Sequence, residues 1–298
     1  MKIAITGASG LIGRRLLKNL SAAGHSIHVL SRHAGTNLPN GVKLSTWDAM
    51  RGLPPDESLR DAGAVIHLAG EPVAQRWTAE AKRRIRESRV EGTRNLVRAI
   101  ERLANRPEAL ICASAMGYYG SRGDEILNES APPADTYLAE VCKAWEQEAQ
   151  AAESLGVRVV RVRIGIVLDP RGGALQRMLP PFRIGLGGKL GSGRQWMSWI
   201  HLEDLAAIFQ FALDHPVRGA VNGVAPYPVS NSEFTRALGQ ALHRPTLSPM
   251  PAFALKMLFG EMSEILLASQ RVAPAAAEAA GFRFRFPQLG PALADLLR

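Results

Sequence analysis

Three glycines, spaced three residues apart, follow an apolar run at the start of the chain and restrict its fold more than any other feature. Residues 2–6, KIAIT, predict a buried strand, and Gly7, Gly10 and Gly13 come directly after it. The apolar periodicity of residues 11–24 indicates a helix, and SIHVLSR behind it indicates a second strand. Strand, glycine turn, helix and strand within about thirty residues predict a parallel βαβ unit.

The glycine spacing suits a ligand that carries phosphate. Gly7 allows a sharp turn, Gly10 lets the backbone approach a pyrophosphate, and Gly13 lets the helix pack against the sheet, while the helix N-terminus presents amides to the phosphates. A glycine-rich turn without a ligand is the alternative. The expected dinucleotide contacts are Gly7, Ser9, Gly10, Leu11, Ile12, Gly13, Ser31, Arg32, Leu68, Ala69 and Gly70.

The end of the second strand separates the two nicotinamide dinucleotides. An acidic residue there would bind the free ribose 2′-hydroxyl of NAD, whereas a basic residue would bind the 2′-phosphate of NADP. Ser31, Arg32 and His33 occupy this position, and no Asp or Glu lies between Gly13 and Asp48. NADP(H) is therefore the expected cofactor, and an Arg32 that only faces solvent is the alternative.

Further apolar segments extend the pattern along the chain. Strands are predicted at residues 63–70, 108–120 and 157–168, and helices at residues 78–105 and 136–155. This alternation predicts the α/β class with a doubly wound, parallel, Rossmann-type sheet. Ligands of such sheets bind beyond the carboxyl ends of the strands, so the strand-end residues are expected to line one crevice.

The composition becomes rich in glycine and proline after residue 168, which indicates a second unit. We expect residues 1–168 to form an NADP-binding Rossmann domain, to which residues 202–225 return. Residues 169–201 and 226–298 are expected to form a smaller C-terminal substrate domain.

Charge and cysteine content limit the partners. The formal net charge of +9 favours anionic ligands or an acidic partner surface. The densest basic stretch, residues 82–94, has the apolar spacing of a helix with one buried side, so a solvated face is preferred over nucleic-acid binding. Cys112 and Cys142 are too few for a disulfide framework.

No signal-peptide core and no run of about eighteen apolar residues is found. We therefore expect a cytoplasmic protein that binds neither nucleic acid nor membrane. A homodimer is compatible with the sequence. The seven histidines show no ligand spacing, so no metal site is expected.

The motifs TGASGLIG, HLAG, SAMGYYG and WIHLEDLA resemble those of the extended short-chain dehydrogenase/reductase superfamily of sugar-nucleotide epimerases and dehydratases. The chain is most similar to an atypical branch, the epimerase family proteins or nucleoside-diphosphate-sugar epimerases. That similarity runs through AGEPVAQRWT, SRVEGTR and MLPPFRIGLGGKLGSGRQWMSWIHLEDLA to the GFRFRFP segment, which is nearly the whole chain.

In the better-known relatives a serine, a tyrosine and a lysine four residues after it carry the chemistry, and the lysine lowers the pKa of the tyrosine. Ser114 matches the serine. Alignment of Glu146 with the usual downstream glutamate places Leu138 and Cys142 at the tyrosine and lysine positions. The resemblance therefore implies a nicotinamide enzyme whose usual tyrosine and lysine are both missing.

Other residues in this part of the chain were considered as replacements. Tyr137 and Lys143 are six residues apart, which turns them to opposite faces of a helix, and Cys142 has no histidine nearby to activate it. Tyr118 and Tyr119 remain as acid/base candidates beside Ser114, with packing as the alternative role. Without an ammonium group we expect the acting tyrosine to keep a pKa near about 10, and activity to be weak and to rise toward alkaline pH.

Arg194, Trp196 and Trp199 are the expected substrate contacts, because a guanidinium binds phosphate and an indole stacks on a base or sugar. Core packing is the alternative for Trp199. The leading hypothesis is an NADP(H)-dependent oxidoreductase or epimerase-like enzyme that acts on a small or nucleotide-linked polar substrate. The rival is a catalytically weak dinucleotide-binding sensor or scaffold.

Overall fold

The structure, a computed structural model, describes residues 1–33 and 38–298 and confirms the predicted α/β class. The strands are β1 Lys2–Thr6, β2 Ser26–Ser31, β3 Lys43–Thr46, β4 Ala64–His67, β5 Ala109–Ala115, β6 Ile126–Leu127, β7 Arg158–Ile164, β8 Ile166–Asp169, β9 Trp196–Met197, β10 Trp199–His201, β11 Gly219–Gly223, β12 Val229–Ser230 and β13 Arg271–Val272. The helices are α1 Leu11–Ala22, α2 Asp56–Leu59, α3 Ala79–Glu101, α4 Tyr137–Gln150, α5 Gly173–Arg183, α6 Leu202–Asp214, α7 Asn231–Leu242, α8 Ala252–Phe259, α9 Ser263–Leu267, α10 Ala275–Ala279 and α11 Leu289–Leu296. Short 3-10 turns occur at Met116–Tyr119, Ala151–Leu155 and Gly260–Met262.

The central sheet has seven strands in the order β3-β2-β1-β4-β5-β7-β11, and every neighbouring pair is parallel. The chain runs from β1 to β2 in one direction and from β4 to β5 in the other, so right-handed crossovers place α1 and α3 on opposite faces. Helix α6 packs beside α1, and α4 packs beside α3. This is the doubly wound Rossmann-type sheet that the sequence predicted.

The strand predicted at residues 157–168 is divided at Gly165, which corrects the sequence-based boundary. Strand β7 belongs to the central sheet, whereas β8 pairs in parallel with β10. The Gly165 N–H donates to the carbonyl of Gly223, and a Cβ at residue 165 would lie 2.6 Å from Val224 and 2.7 Å from the Ser198 carbonyl. Only a glycine allows the chain to change sheets here.

Two large hydrophobic clusters are found, one on each side of the point at Gly165 where the chain changes sheets. The first fills the space between the central sheet and its helices. The second joins β8, α5, α7 and α11, and its fully buried members include Leu168, Leu175, Trp199, Leu238 and Leu293. Strand β11 lies in the central sheet although it follows β10 in the chain. The domain boundaries themselves stay a prediction.

Candidate active site

The turn between β1 and α1 is defined by close backbone contacts. Gly7 has φ +70°, and a Cβ there would lie 2.7 Å from the carbonyl carbon of Leu68. A Cβ at Gly13 would lie 2.3 Å from the Gly7 carbonyl oxygen, so only a glycine lets α1 approach the turn after β1 this closely. A Cβ at Gly10 would meet only the Gly7 oxygen, at 3.3 Å, which leaves its outer side open for a phosphate.

The end of β4 is tied to the end of β1 by side-chain hydrogen bonds. The Thr6 hydroxyl accepts from the backbone N–H groups of Leu68 and Ala69, both at 3.1 Å. His67, wholly buried, bonds Thr6 at 2.7 Å through Nδ1 and Thr93 at 3.0 Å through Nε2. Burial lowers the pKa of His67 to about 4, so the ring is neutral near pH 7. Residues 68–70 are thereby held beside the glycine turn.

Arg32 lies just beyond β2 and is exposed, at the same edge of the sheet as the glycine turn. The backbone N–H of His33 donates to the Ser31 hydroxyl at 3.3 Å, which closes a small turn after the strand. The exposed position of Arg32 agrees with both interpretations, contact with the 2′-phosphate and exposure to solvent.

Ser114 lies near the carboxyl end of β5, where it joins a buried ion pair. Its hydroxyl donates to Glu146 Oε1 at 2.6 Å. Arg163, on β7, donates to the two oxygens of the same carboxylate at 2.8 and 2.9 Å. Burial disfavours the charged guanidinium, but the bonds to Glu146 outweigh it and raise the pKa of Arg163. The Ser114 proton is therefore directed to a carboxylate and away from the crevice.

The two candidate tyrosines have different surroundings. Tyr119 is fully buried, donates to Asn222 Oδ1 at 2.7 Å and accepts from Arg163 at 2.9 Å. Burial raises the pKa of Tyr119 to about 12, so the expectation of a value near 10 is wrong for this residue. Tyr118 is half-buried, and its ring centroid lies 3.6 Å from the guanidinium carbon of Arg163. Within the described residues no hydrogen bond occupies its hydroxyl, so Tyr118 is the tyrosine that remains able to contact a substrate.

Helix α4 brings apolar side chains to the positions of the missing pair. Leu138 packs against the small hydrophobic cluster of Trp77, Ile85 and Met262. Cys142 is buried, and that burial raises the pKa of its thiol to about 12, which excludes a reactive thiolate near neutral pH. Lys143 is exposed, as predicted from its place on the opposite face of the helix.

Arg89 is the residue that the sequence reasoning missed. Its guanidinium donates to the carbonyl groups of Glu71 and Ile85, each at 3.0 Å, and a Cβ on Gly70 would lie 3.1 Å from its guanidinium carbon. Burial lowers the pKa of Arg89. None of the ion pairs among the described residues includes it. In the sequence, Arg89 is one of several arginines in the helical stretch 82–94. The other charges of that stretch lie largely on the solvated face, so nothing local marks Arg89 as different.

Two of the expected substrate contacts lie near the surface, at the start of β9. Arg194 is exposed. The Trp196 indole donates to Asp124 at 2.6 Å, and the guanidinium of Arg271 lies 4.4 Å from its ring centroid. One face of the Trp196 ring is thus already covered by a cation.

Trp199 differs from the expectation. Its side chain has no exposed surface, and its indole donates to the Tyr227 carbonyl at 3.1 Å inside the second cluster. We correct its role from substrate contact to core packing. Its burial follows from its place in the second cluster, whose other members come largely from β8, α5, α7 and α11.

Comparison with known proteins agrees with this geometry. The profile of the NAD dependent epimerase/dehydratase family matches residues 3–225, and a domain of unknown function, DUF1731, matches residues 250–296. The chain belongs to the NAD dependent epimerase/dehydratase family. Its dinucleotide-binding fold is that of the extended short-chain dehydrogenase/reductases, as the sequence motifs implied.

Named relatives within the family cover the whole chain. The chain is 39% identical to the epimerase family protein SDR39U1 homolog, chloroplastic, of Arabidopsis thaliana, over 100% of this chain and 87% of that protein. It is 36% identical to the epimerase family protein YfhF of Bacillus subtilis, over 100% and 98% of the two chains. Human epimerase family protein SDR39U1, crystallised with NADPH, superposes with a TM-score of 0.88 at 35% identity, covering 100% of this chain and 99% of that one.

Among the described residues, no group of three or more His, Cys, Asp or Glu side chains is arranged to hold a metal ion. No helix in the described ranges is long and apolar enough to cross a membrane.

Proposed function

We propose that this family member is an NADP(H)-binding enzyme of the oxidoreductase or epimerase type, which acts on a small or sugar-nucleotide-like polar substrate. The observation that carries the proposal is a shared position. The open Gly10 backbone, Ser114 and Tyr118 all lie at the carboxyl edge of the parallel sheet. When bound, the nicotinamide would supply or accept a hydride. NADPH in the human SDR39U1 crystal, at 35% identity, supports the choice of cofactor.

The cofactor would lie along the carboxyl ends of β1, β2 and β4. The backbone of Gly7, Gly10 and Gly13, with Ser9, Leu11 and Ile12 at the start of α1, would hold the pyrophosphate. Ser31 and Arg32 would contact the 2′-phosphate, and residues 68–70 would contact the ribose. A helix N-terminus favours this arrangement because its free amides and its dipole both attract phosphate.

Tyr118 would exchange the proton with the substrate oxygen, since its hydroxyl has no partner within the described residues. Arg163 would stabilise charge on this phenol through the ring face, and Ser114 would accept a hydrogen bond from the substrate because its own proton goes to Glu146. Arg89 would supply a positive charge where relatives of the extended type carry lysine. Tyr119 would hold Arg163 in place.

The substrate class is supported by the exposed guanidinium of Arg194, which suits a phosphate, and by the half-buried indole of Trp196, which suits a sugar or base. A solved structure from Corynebacterium glutamicum, described as a nucleoside-diphosphate sugar epimerase, is 37% identical, covers 100% of this chain and 58% of that one, and superposes with a TM-score of 0.80. A cytoplasmic location and a homodimer stay predictions from the sequence.

The missing tyrosine and lysine favour a second candidate, a dinucleotide-binding sensor with little turnover. In that protein the Ser114–Glu146–Arg163 group would be purely structural. Absence of turnover on any carbonyl compound or sugar nucleotide, together with tight NADPH binding, would favour the sensor over the enzyme.

The cofactor is tested by thermal melting with NADPH and NADH. We expect NADPH to stabilise the chain more, by about 1–3 kcal/mol for a charge-assisted hydrogen bond from Arg32. Arg32→Ala should narrow the difference, whereas Arg51→Ala, another exposed arginine, should leave it unchanged. Gly10→Leu should abolish the shift with both cofactors. Equal shifts in the parent protein would contradict the assignment of NADP(H).

A further inference from the structure

Helix α8 is apolar around most of its circumference, yet most of it is exposed. Phe253, Met257 and Leu258 are 69%, 78% and 66% exposed, and Leu255 is its one deeply buried residue. A helix that is apolar on all sides is normally enclosed by protein or lipid. Scattered apolar residues need no explanation, but a contiguous group marks an interaction surface.

The apolar surface continues from α8 onto two neighbouring segments. Residues 183–191 and 244–252 run side by side, joined by the bond from the Met250 N–H to the Lys189 carbonyl and by the bond from the Gly191 N–H to the Met250 carbonyl, both 2.9 Å. We define the apolar patch by its members on all three segments. They are Ile184, Leu186, Leu247, Met250, Phe253, Met257 and Leu258.

Positive charge surrounds this patch. No Asp or Glu occurs in residues 180–194 or 243–260. In the part of the chain that the structure describes, none of the five cations in these segments forms an ion pair, and Glu261, the next acidic residue, is paired with Lys82. The cations, all exposed, are Arg183, Lys189, Arg194, Arg244 and Lys256.

The positive charge around the apolar patch distinguishes between the partners that could cover it. In a twofold dimer built on this patch, the same cations of both copies would face one another, which is unfavourable. An anionic lipid bilayer satisfies both features, because acyl chains receive the apolar side chains and headgroup phosphates receive the cations. Helix α8 has eight residues, about 12 Å, so it can lie in the interface but cannot cross the bilayer.

We propose that the apolar patch and four of its cations, Arg183, Lys189, Arg244 and Lys256, bind the surface of an anionic membrane, with Phe253, Met257 and Leu247 inserted past the headgroups to the acyl chains. This departs from the sequence-based expectation of no membrane partner. That expectation considered only spanning segments, whereas this surface is assembled from three segments that are separate in sequence.

The test is co-sedimentation of the full chain with vesicles of phosphatidylcholine alone and of phosphatidylcholine with phosphatidylglycerol in equal parts. We expect binding to the second kind only, weakened by high salt. Phe253→Ser with Met257→Ser should weaken it at least about tenfold, and Arg183→Glu with Lys256→Glu at least about 25-fold. The matched controls, Ile126→Ser and the pair Arg98→Glu with Arg102→Glu, should leave binding unchanged.

Far-UV circular dichroism and thermal melting check that each variant is folded. Failure of the parent chain to sediment with the phosphatidylglycerol vesicles would overturn the proposal. Equal weakening by the charge controls would also overturn it, because binding would then follow net charge and not the patch. A dimer in light scattering that Phe253→Ser with Met257→Ser converts to a monomer would identify a second copy as the occupant instead.

Discussion

The two sides of the crevice are built in different ways. On the cofactor side, backbone atoms of a glycine turn lie against the backbone of residues 68–70, and hydrogen bonds from Thr6 and His67 hold the two segments together. On the opposite side, the geometry depends on the side chains of Ser114, Tyr119, Glu146 and Arg163, contributed by β5, a 3-10 turn, α4 and β7. The first side therefore depends mainly on backbone atoms that lie close together, whereas the second depends on a buried ion pair and its hydrogen-bond partners.

The largest expected effect on stability comes from disrupting the buried ion pair between Glu146 and Arg163. Glu146→Gln leaves the Arg163 guanidinium without its counter-charge, which should reduce the free energy of unfolding by about 3–5 kcal/mol. Glu148→Gln, on the same helix, disrupts the half-exposed pair with Arg94 and should cost about 1 kcal/mol or less. Urea unfolding measures both variants. Similar losses would mean that burial does not distinguish the two ion pairs.

On the cofactor side, His67 should make stability depend on pH. The unfolded state has the ordinary pKa of 6.5 and the folded state has a pKa of about 4, chiefly through burial and further through Arg89. The contribution is therefore fully present above pH 6.5 and is lost as the pH falls toward 4, by about 3 kcal/mol in total. His67→Gln should flatten this part of the stability curve, whereas the exposed His215→Gln should not. An unchanged slope in His67→Gln would assign the acid sensitivity to other groups.

The two neighbouring tyrosines are expected to differ in role: Tyr118 would affect turnover, whereas Tyr119 would affect stability. Tyr118→Phe should lower turnover about a hundredfold, the usual scale of one general acid/base, without changing stability. Tyr119→Phe removes the hydrogen bond to Asn222 Oδ1 and one of the hydrogen bonds of Arg163, and should cost about 1–3 kcal/mol of stability, with turnover retained below the melting temperature. The assay is NADPH oxidation over a panel of carbonyl compounds and sugar nucleotides across neutral and alkaline pH. Loss of turnover only in Tyr119→Phe would reverse the assignment.

The smallest effect is expected at Arg89, which lies between the two sides. Arg89→Leu should weaken NADPH binding about tenfold, within the range for a hydrogen bond to a charged group, while Arg89→Lys should retain part of it. Arg86→Leu, an exposed arginine on the same helix, is the control. Fluorescence titration of NADPH measures all three. Equal affinity of Arg89→Leu and the parent chain would remove Arg89 from the cofactor site.

Prediction from sequence succeeded where structure depends on local pattern. The glycine turn, the start of α1 and the parallel, doubly wound sheet follow from spacing, periodicity and the alternation of elements. It failed at Trp199, because a tryptophan in a glycine-rich segment gives no sign of which side chains will enclose it. It also missed Arg89 and Arg163, since most arginines in such stretches are solvated and burial is decided by helices and strands far away in the chain.

By itself, the sequence determined the family, the fold class and the glycine turn after β1, because these follow from motifs and periodicities of residues close together in the chain. Only the tertiary structure decided that Gly165 divides a strand, that Tyr118 and not Tyr119 keeps a free hydroxyl among the described residues, and that Ser114 gives its proton to Glu146. Those outcomes arise from contacts between residues 30 to about 100 positions apart, and no local pattern encodes the dense packing that selects them.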